Sequence, residues 1–114
     1  MVGRVYLIPA PFPDMNVQIE QNENQYRVAP AGRLDTNSAP QFQEALEPLM
    51  QAVQAHVTVD CSGLEYTSSQ GLRLFLMLQK SLSKNGGSLV LTDMQPAVKE
   101  VFDITGFSNI ITIR

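Results

Sequence analysis

The stretch Glu65–Arg73 reads EYTSSQGLR and places three hydroxyl residues, Thr67, Ser68 and Ser69, directly before a predicted apolar helix. A serine at a helix start accepts a hydrogen bond from a free backbone N–H and stabilises the helix by about 1 kcal/mol. Capping explains one serine, but it does not explain two serines and a threonine. A phosphoryl group would also be tolerated there, because it would lie at the positive end of the helix dipole. The residues alone leave capping and phosphorylation open.

Strands and helices alternate after this stretch as well as before it. A β-branched strand is predicted over 57–60, and a helix over 71–84 ends at a pair of glycines. A strand over 88–92, a third helix from Pro96 and a last strand over 110–113 complete the chain.

The region before residue 57 predicts a hairpin followed by an amphipathic helix. Apolar and polar residues alternate over 17–28 around a polar turn, and Pro30 favours a bulge or a sheet edge. Apolar side chains then recur at helical spacing up to Val53, with Pro40 suited to the first turn. Pro48 lies inside this helix, and we expect a kink or break near Glu44.

These elements predict an α/β fold with the order β-β-α-β-α-β-α-β. Strands that alternate with helices indicate a largely parallel sheet packed against the helices, and the first hairpin makes the sheet mixed. We expect one domain over 15–114. Residues 1–14 contain Pro9, Pro11 and Pro13, so we expect them to form a separate, extended, Pro-rich segment.

Composition excludes several classes of function. Eleven acidic residues against eight basic ones, with an isoelectric point near 4.9, disfavour a nucleic acid partner. A single cysteine, Cys61, and a single histidine, His56, predict neither an intramolecular disulfide nor a metal cluster, and a reducing cytoplasm fits best. No segment approaches the length needed to insert into a membrane.

The polar residues also give little support to catalysis. His56 precedes its strand and would lie at the opposite end of the sheet from the serines, so a hydrolytic triad is disfavoured. Cys61 has no basic neighbour in the sequence and is expected to be a buried structural thiol. We therefore predict no catalytic residue.

The helix over 71–84 carries a second indication of function, a candidate protein interface. On a helical wheel Arg73, Lys80 and Lys84 gather on one side, and Met77 falls among them. An adaptable methionine within a basic stripe fits a protein interface, and a solvated helix face fits equally well.

Taken together, the motifs resemble the STAS domain family, which is shared by bacterial anti-sigma-factor antagonists and the cytoplasmic tails of sulfate transporters. The resemblance covers residues 16–113. Its motifs are Gly32-Arg33-Leu34-Asp35 with Ala39, Asp60-Cys61-Ser62-Gly63-Leu64, Tyr66-Thr67-Ser68-Ser69-Gln70-Gly71-Leu72-Arg73, Gly86-Gly87, Pro96-Ala97-Val98-Lys99, Phe102-Asp103 and Gly106-Phe107.

The resemblance implies a phosphorylation switch. Free-standing members bind a kinase-type anti-sigma factor with a histidine-kinase-like ATPase fold, and this releases a sigma factor. The kinase phosphorylates a serine at the start of the second helix, and a PP2C-type phosphatase reverses the reaction. We expect no cofactor and no metal.

The family often reads Asp-Ser-Ser/Thr-Gly-Leu at the switch, and this chain departs from that pattern. Ser68 occupies the acidic position, and Gln70 stands directly before Gly71. The resemblance therefore points to Ser69 as the phosphorylation site, with Ser68 as the second choice and the more suitable helix cap. From the resemblance and the helix face together, we expect the partner-binding residues to be Asp35, Thr36, Ser68, Ser69, Gln70, Arg73 and Met77.

Two alternatives keep the fold and change the function. One is a structural STAS subunit of a membrane lipid-transport complex, docked on its ATP-binding cassette subunit. The other is an enzyme that acts on a phosphorylated small molecule, and it is disfavoured because the sequence predicts no base near the serines.

Overall fold

A computed structural model describes the backbone of residues 4–8 and 15–114 and the side chains of residues 16–114. Strands and helices alternate over most of this length. In chain order the elements are β1 (Arg4–Ile8), β2 (Met15–Asn22), β3 (Gln25–Leu34), α1 (Ala39–Gln51), β4 (His56–Asp60), β5 (Leu64–Thr67), α2 (Ser69–Lys84), β6 (Ser88–Thr92), α3 (Pro96–Thr105), a 3-10 turn (Phe107–Asn109) and β7 (Thr112–Ile113).

The described strands form one mixed sheet in the order β1-β2-β3-β4-β6-β7, and β5 also pairs with β3. β1, β2 and β3 are antiparallel neighbours, whereas β3 pairs with β4 and β5, β4 with β6 and β6 with β7 in parallel. The predicted α/β class and mixed sheet are therefore confirmed.

The core lies on one face of this sheet, beneath the three helices. Val28, Val59 and Leu91 are in register across three strands and are fully buried. Each helix contributes one buried phenylalanine above them: the ring of Phe75 lies 5.6 Å from that of Phe42 and 5.8 Å from that of Phe102. This row of rings holds the helices together on the same face of the sheet.

β3 changes its parallel partner along its length. Residues 25–28 pair with β4, and residues 32–34 pair with β5, with a register shift between Gly32 and Arg33. Pro30 lies between these two segments, where the absence of a backbone N–H costs no ladder hydrogen bond on that side. The predicted irregularity at Pro30 is therefore a change of partner within an inner strand.

Two strands were not predicted. β5 has only four residues and follows β4 after a three-residue turn, so the sequence pattern did not separate it from the loop. β1 lies within the predicted Pro-rich segment, yet it pairs with β2 from Arg4↔Gln21 to Ile8↔Val17. The prolines at positions 9, 11 and 13 lie outside the described residues, and the domain boundary at residue 15 stays a prediction.

α1 differs from its prediction at two points. The expected break near Glu44 is absent: the helix is continuous although Pro48 lies inside it, because buried side chains on both sides of the missing hydrogen bond anchor it to the core. The alternative expectation, a kink, stays a prediction. Val53 was expected to face the core, and it is 71% exposed because the helix ends at Gln51.

Candidate functional site

Two loops meet at the edge of the sheet where β3 and β5 end. Leu34 and Thr67, the last residues of these strands, are paired, and the backbone N–H of Ser68 donates to the Leu34 carbonyl at 2.8 Å. The loop that enters α1 and the loop that enters α2 therefore begin side by side. The fold brings Asp35 and the serines into one region, as the family resemblance implied.

Ser68 caps α2. Its Oγ accepts a hydrogen bond from the backbone N–H of Gly71 at 3.2 Å, and its own backbone is extended, with φ −92° and ψ 174°. This is the usual geometry of an N-cap serine. The predicted cap at Ser68 is confirmed.

Ser69 and Gln70, the first two residues of α2, are exposed. Within the part of the chain that the structure describes, the Ser69 hydroxyl makes no hydrogen bond. Thr67, the third hydroxyl residue of the run, is only 3% exposed. The three adjacent residues thus differ in environment, and Ser69 is the most exposed of them.

Asp35 organises the loop that lies beside these serines. One of its carboxylate oxygens accepts from the backbone N–H of Asn37 at 2.9 Å and from that of Ser38 at 3.0 Å. Thr36, between them, is exposed. In this structure the Asp35 carboxylate therefore supports a turn and, together with Thr36, borders the exposed edge of the site.

Ser38 completes this loop and was not singled out in the sequence. It is fully buried; its Oγ donates to the carbonyl of Arg33 at 2.7 Å and accepts from the backbone N–H of Asp35 at 3.0 Å. The Asp-x-x-Ser spacing before a helix was the available signal, because such pairs commonly satisfy backbone groups at helix starts.

Gly71 allows α2 to start close to β3. A Cβ atom at this position would lie 2.4 Å from Oγ1 of Thr67 and 2.7 Å from a methyl carbon of Leu34. Any side chain would therefore push the first turn of α2, which carries Ser69, away from the sheet.

We expect the Gly71→Ala substitution to destabilise the protein. Overpacking costs about 1–3 kcal/mol, which exceeds the gain of up to about 1 kcal/mol that alanine normally brings to a helix. Urea unfolding of both proteins measures the difference in the free energy of unfolding. Ser83→Ala, at an exposed position of the same helix, is the matched control. A Gly71→Ala protein that is more stable than the wild type would contradict the proposed contact.

A groove of about 190 Å³ lies between the first halves of α1 and α2. Arg73 and Met77 are among its lining residues, and Met77 is 41% exposed. The lining consists of Ala39, Pro40, Gln43, Gln70, Arg73, Leu74 and Met77. Three of the predicted partner-binding residues therefore share one depression that begins next to Ser69.

Arg33 and Tyr66 form a second exposed feature near these loops. They are cross-strand neighbours on β3 and β5, and the guanidinium carbon lies 4.3 Å from the centre of the ring. A cation–π contact at such an exposed position stabilises by about 0.5–1 kcal/mol.

Asp60 and Cys61 have structural roles. The Asp60 carboxylate accepts from the backbone N–H of Ser62 at 3.0 Å and pairs with Arg27, and these contacts lower its pKa. Burial raises the pKa of the Cys61 thiol to about 12, so this group is protonated and unreactive at neutral pH.

The described residues contain no group of three or more potential metal-ligating side chains of the histidine, cysteine or acidic type. Within the described residues, no helix has the length and apolar character needed to cross a membrane.

Comparisons with known proteins agree with this architecture. The family model described as "Mlab, STAS domain" matches residues 17–112. The anti-sigma-B factor antagonist of Bacillus subtilis (strain 168) is 38% identical over 100 residues, which cover 88% of this chain and 91% of that protein.

Solved structures match as well. The anti-sigma factor antagonist SpoIIAA in its unphosphorylated form superimposes with a TM-score of 0.73 at 22% identity, over 86% of this chain and 87% of that one. The phosphorylated form of the Bacillus cell fate determinant SpoIIAA gives a TM-score of 0.67 at 20% identity, over 86% and 90% of the two chains. The family model spans most of the sequence and the fold agrees with it, so this chain belongs to the STAS domain family.

Proposed function

We propose that the protein is an anti-sigma-factor antagonist that works in a phosphorylation-controlled partner switch. One observation carries the proposal: Ser69 is exposed at the first position of α2, whereas Ser68 is engaged as the cap and Thr67 is buried. The name of the 38% identical relative, an anti-sigma-B factor antagonist, supports the same function.

The unphosphorylated protein binds a kinase-type anti-sigma factor with a histidine-kinase-like ATPase fold, and a sigma factor is released. The contact surface comprises the loop edge at Asp35 and Thr36 and the start of α2, from Ser68 to Met77. In this proposal the chain is a binding protein and a kinase substrate, not an enzyme, and it acts in the cytoplasm without a cofactor.

Phosphorylation then ends the interaction. The γ-phosphoryl group of ATP passes to the Ser69 Oγ, ADP leaves, and the hydroxyl proton passes to a base of the kinase. The product carries about −1.5 to −2 charge at a helix N-terminus, where an anion does not destabilise the fold. Like charge or unpaired charge in an interface costs several kcal/mol, so the complex dissociates. A PP2C-type phosphatase removes the phosphoryl group and restores binding.

Phosphate mapping tests this proposal. The protein is incubated with the candidate kinase of the same genome and ATP, and the modified residue is identified by mass spectrometry. We expect one phosphate on Ser69, no incorporation in Ser69→Ala and retained incorporation in Ser68→Ala. A kinase that forms no complex with the protein and transfers no phosphate to either serine would refute the proposal.

A second candidate function has one observation in its favour. Gln70 stands directly before Gly71, so no phosphoryl acceptor exists at the position that some family members use. The same surface of α2 would then serve as a constitutive docking site in a membrane lipid-transport complex. Co-purification with an ATP-binding cassette subunit, without phosphate on either serine, would favour this function over the switch.

A further inference from the structure

The exposed face of α2 continues well beyond the residues at its start. At about 100° per residue, a single arc of about 100° contains six exposed side chains. They are Ser69, Gln70, Arg73, Met77, Lys80 and Lys84. The arc runs the whole length of the helix and begins at Ser69.

The charge of this face is opposite to that of the protein. The chain has a net charge of −3, but α2 contains three basic residues and no acidic one. The ion pairs seen among the described residues join Arg27 to Asp60 and Lys99 to Asp103, and neither involves α2. Among the residues whose side chains the structure describes, these three cations therefore have no acidic partner, and they line one side of a chain with net negative charge.

The groove between α1 and α2 adds an apolar element along this face. Ala39, Pro40, Leu74 and Met77 supply its apolar lining, and Arg73 supplies its charge. The exposed carboxylates of α1, at positions 44 and 47, are not part of the lining. The groove thus offers a small apolar depression beside a guanidinium group.

We propose that this face, from Arg73 to Lys84 together with the groove, docks an acidic surface of a protein partner and receives one of its apolar side chains. The inference rests on the proposed function, because the partner is the kinase-type anti-sigma factor that acts on Ser69. The basic charge of the face calls for an acidic occupant, and the face is continuous with the proposed phosphorylation site at which the kinase acts. Lys80, Lys84, Pro40 and Gln43 are thereby added to the contact surface.

This arrangement also explains why a single phosphoryl group suffices for release. Ser69 lies one helical turn before Arg73 on the same arc. A dianion at Ser69 neutralises part of the positive charge of this face. It also repels the acidic surface of the partner. Phosphorylation therefore acts on the electrostatic attraction along α2 as well as on the contact at Ser69 itself.

Charge reversal tests the inference. Isothermal titration calorimetry measures the Kd between the purified kinase-type anti-sigma factor and the wild type, the Lys80→Glu/Lys84→Glu double variant and Met77→Ala. We expect the double variant to bind at least about tenfold more weakly, because like charges then face each other. Met77→Ala should weaken binding by about five- to tenfold, as is typical when an interface anchor is truncated.

Two control variants test whether the effects on Kd are specific to the face of α2. Lys99→Glu reverses a charge on α3, and Ile104→Ala removes an apolar side chain that is 77% exposed on the same helix. Both should bind within about twofold of the wild type, since most surface substitutions outside an interface are nearly neutral. Raising the salt concentration should weaken the wild-type complex more than that of the double variant.

The outcomes separate the inference from the function on which it rests. If Ser69 is phosphorylated by the kinase but the double variant and Met77→Ala bind like the wild type, the docking surface is wrong and the switch stands. Wild-type binding to vesicles of anionic phospholipid that Lys80→Glu/Lys84→Glu abolishes would assign the face to a membrane and overturn the inference. If the wild type does not bind the kinase, the proposed function and the inference both fail.

Discussion

Replacing Ser69 with aspartate is expected to weaken binding to the kinase-type anti-sigma factor by at least about 100-fold, since an unpaired or like charge in an interface costs several kcal/mol. The same substitution should leave the fold intact. A carboxylate in the first turn of a helix stabilises it by about 0.3–1 kcal/mol. The expected signature is therefore a protein that loses its partner while its unfolding midpoint stays constant or rises slightly.

Calorimetric titration and urea unfolding of the same preparation measure the two effects. Ser69→Asn is the matched control, because it has nearly the same shape as the aspartate variant and carries no charge. We expect Ser69→Asn to keep its Kd within about fivefold of the wild type, a change of about 1 kcal/mol at most. If Ser69→Asp binds the kinase as tightly as the wild type, the charge mechanism of release is incorrect.

Replacing Phe75 with alanine should cause the largest loss of stability. Its ring is fully buried between those of Phe42 and Phe102, so it joins the first helix to the third. Truncating a buried phenylalanine costs about 3–5 kcal/mol, from lost burial and from the cavity that remains. This is a large part of the 5–15 kcal/mol, in order of magnitude, that stabilises an ordinary domain.

Thermal unfolding followed by circular dichroism measures this effect, and we expect the Tm to fall by more than about 10 °C. The control is Val53→Ala, at a position that is 71% exposed after the end of α1 and that should change the free energy of unfolding by less than about 0.5 kcal/mol. If Phe75→Ala lowers the free energy of unfolding by less than about 1 kcal/mol, the row of rings does not hold the helices together.

The sequence predicted the long elements because hydrophobic periodicity is strong in them. α2 ends at Lys84 as predicted and starts two residues before the predicted position. α3 starts at Pro96 and β6 covers Ser88–Thr92, both as predicted. Periodicity could not predict β5, whose four residues form a strand because the end of β3 pairs with it. It also placed Val53 in the core, since a spacing pattern does not reveal where a helix ends.

The site was predictable in part. The residue types at the start of α2 left capping and phosphorylation open, the family resemblance favoured Ser68 as the cap, and the structure confirms that cap. Ser38 and the groove could not be inferred, because both depend on how α1 lies against β3 and α2 in space. The use of Ser69 as a phosphoryl acceptor remains a prediction.

The two sides of α2 differ in role: one packs into the core, and the other is the side that we propose as a docking surface. Gly71, Phe75 and Leu78 are buried, whereas Arg73, Met77, Lys80 and Lys84, which are proposed to meet a partner, are exposed. Substitutions on the outer side leave the core unaltered, so duplicated copies of such a domain can acquire different partners without losing stability. In the proposed switch, the choice of partner is therefore set by the outward side chains of a single helix, while its inward side chains keep the fold.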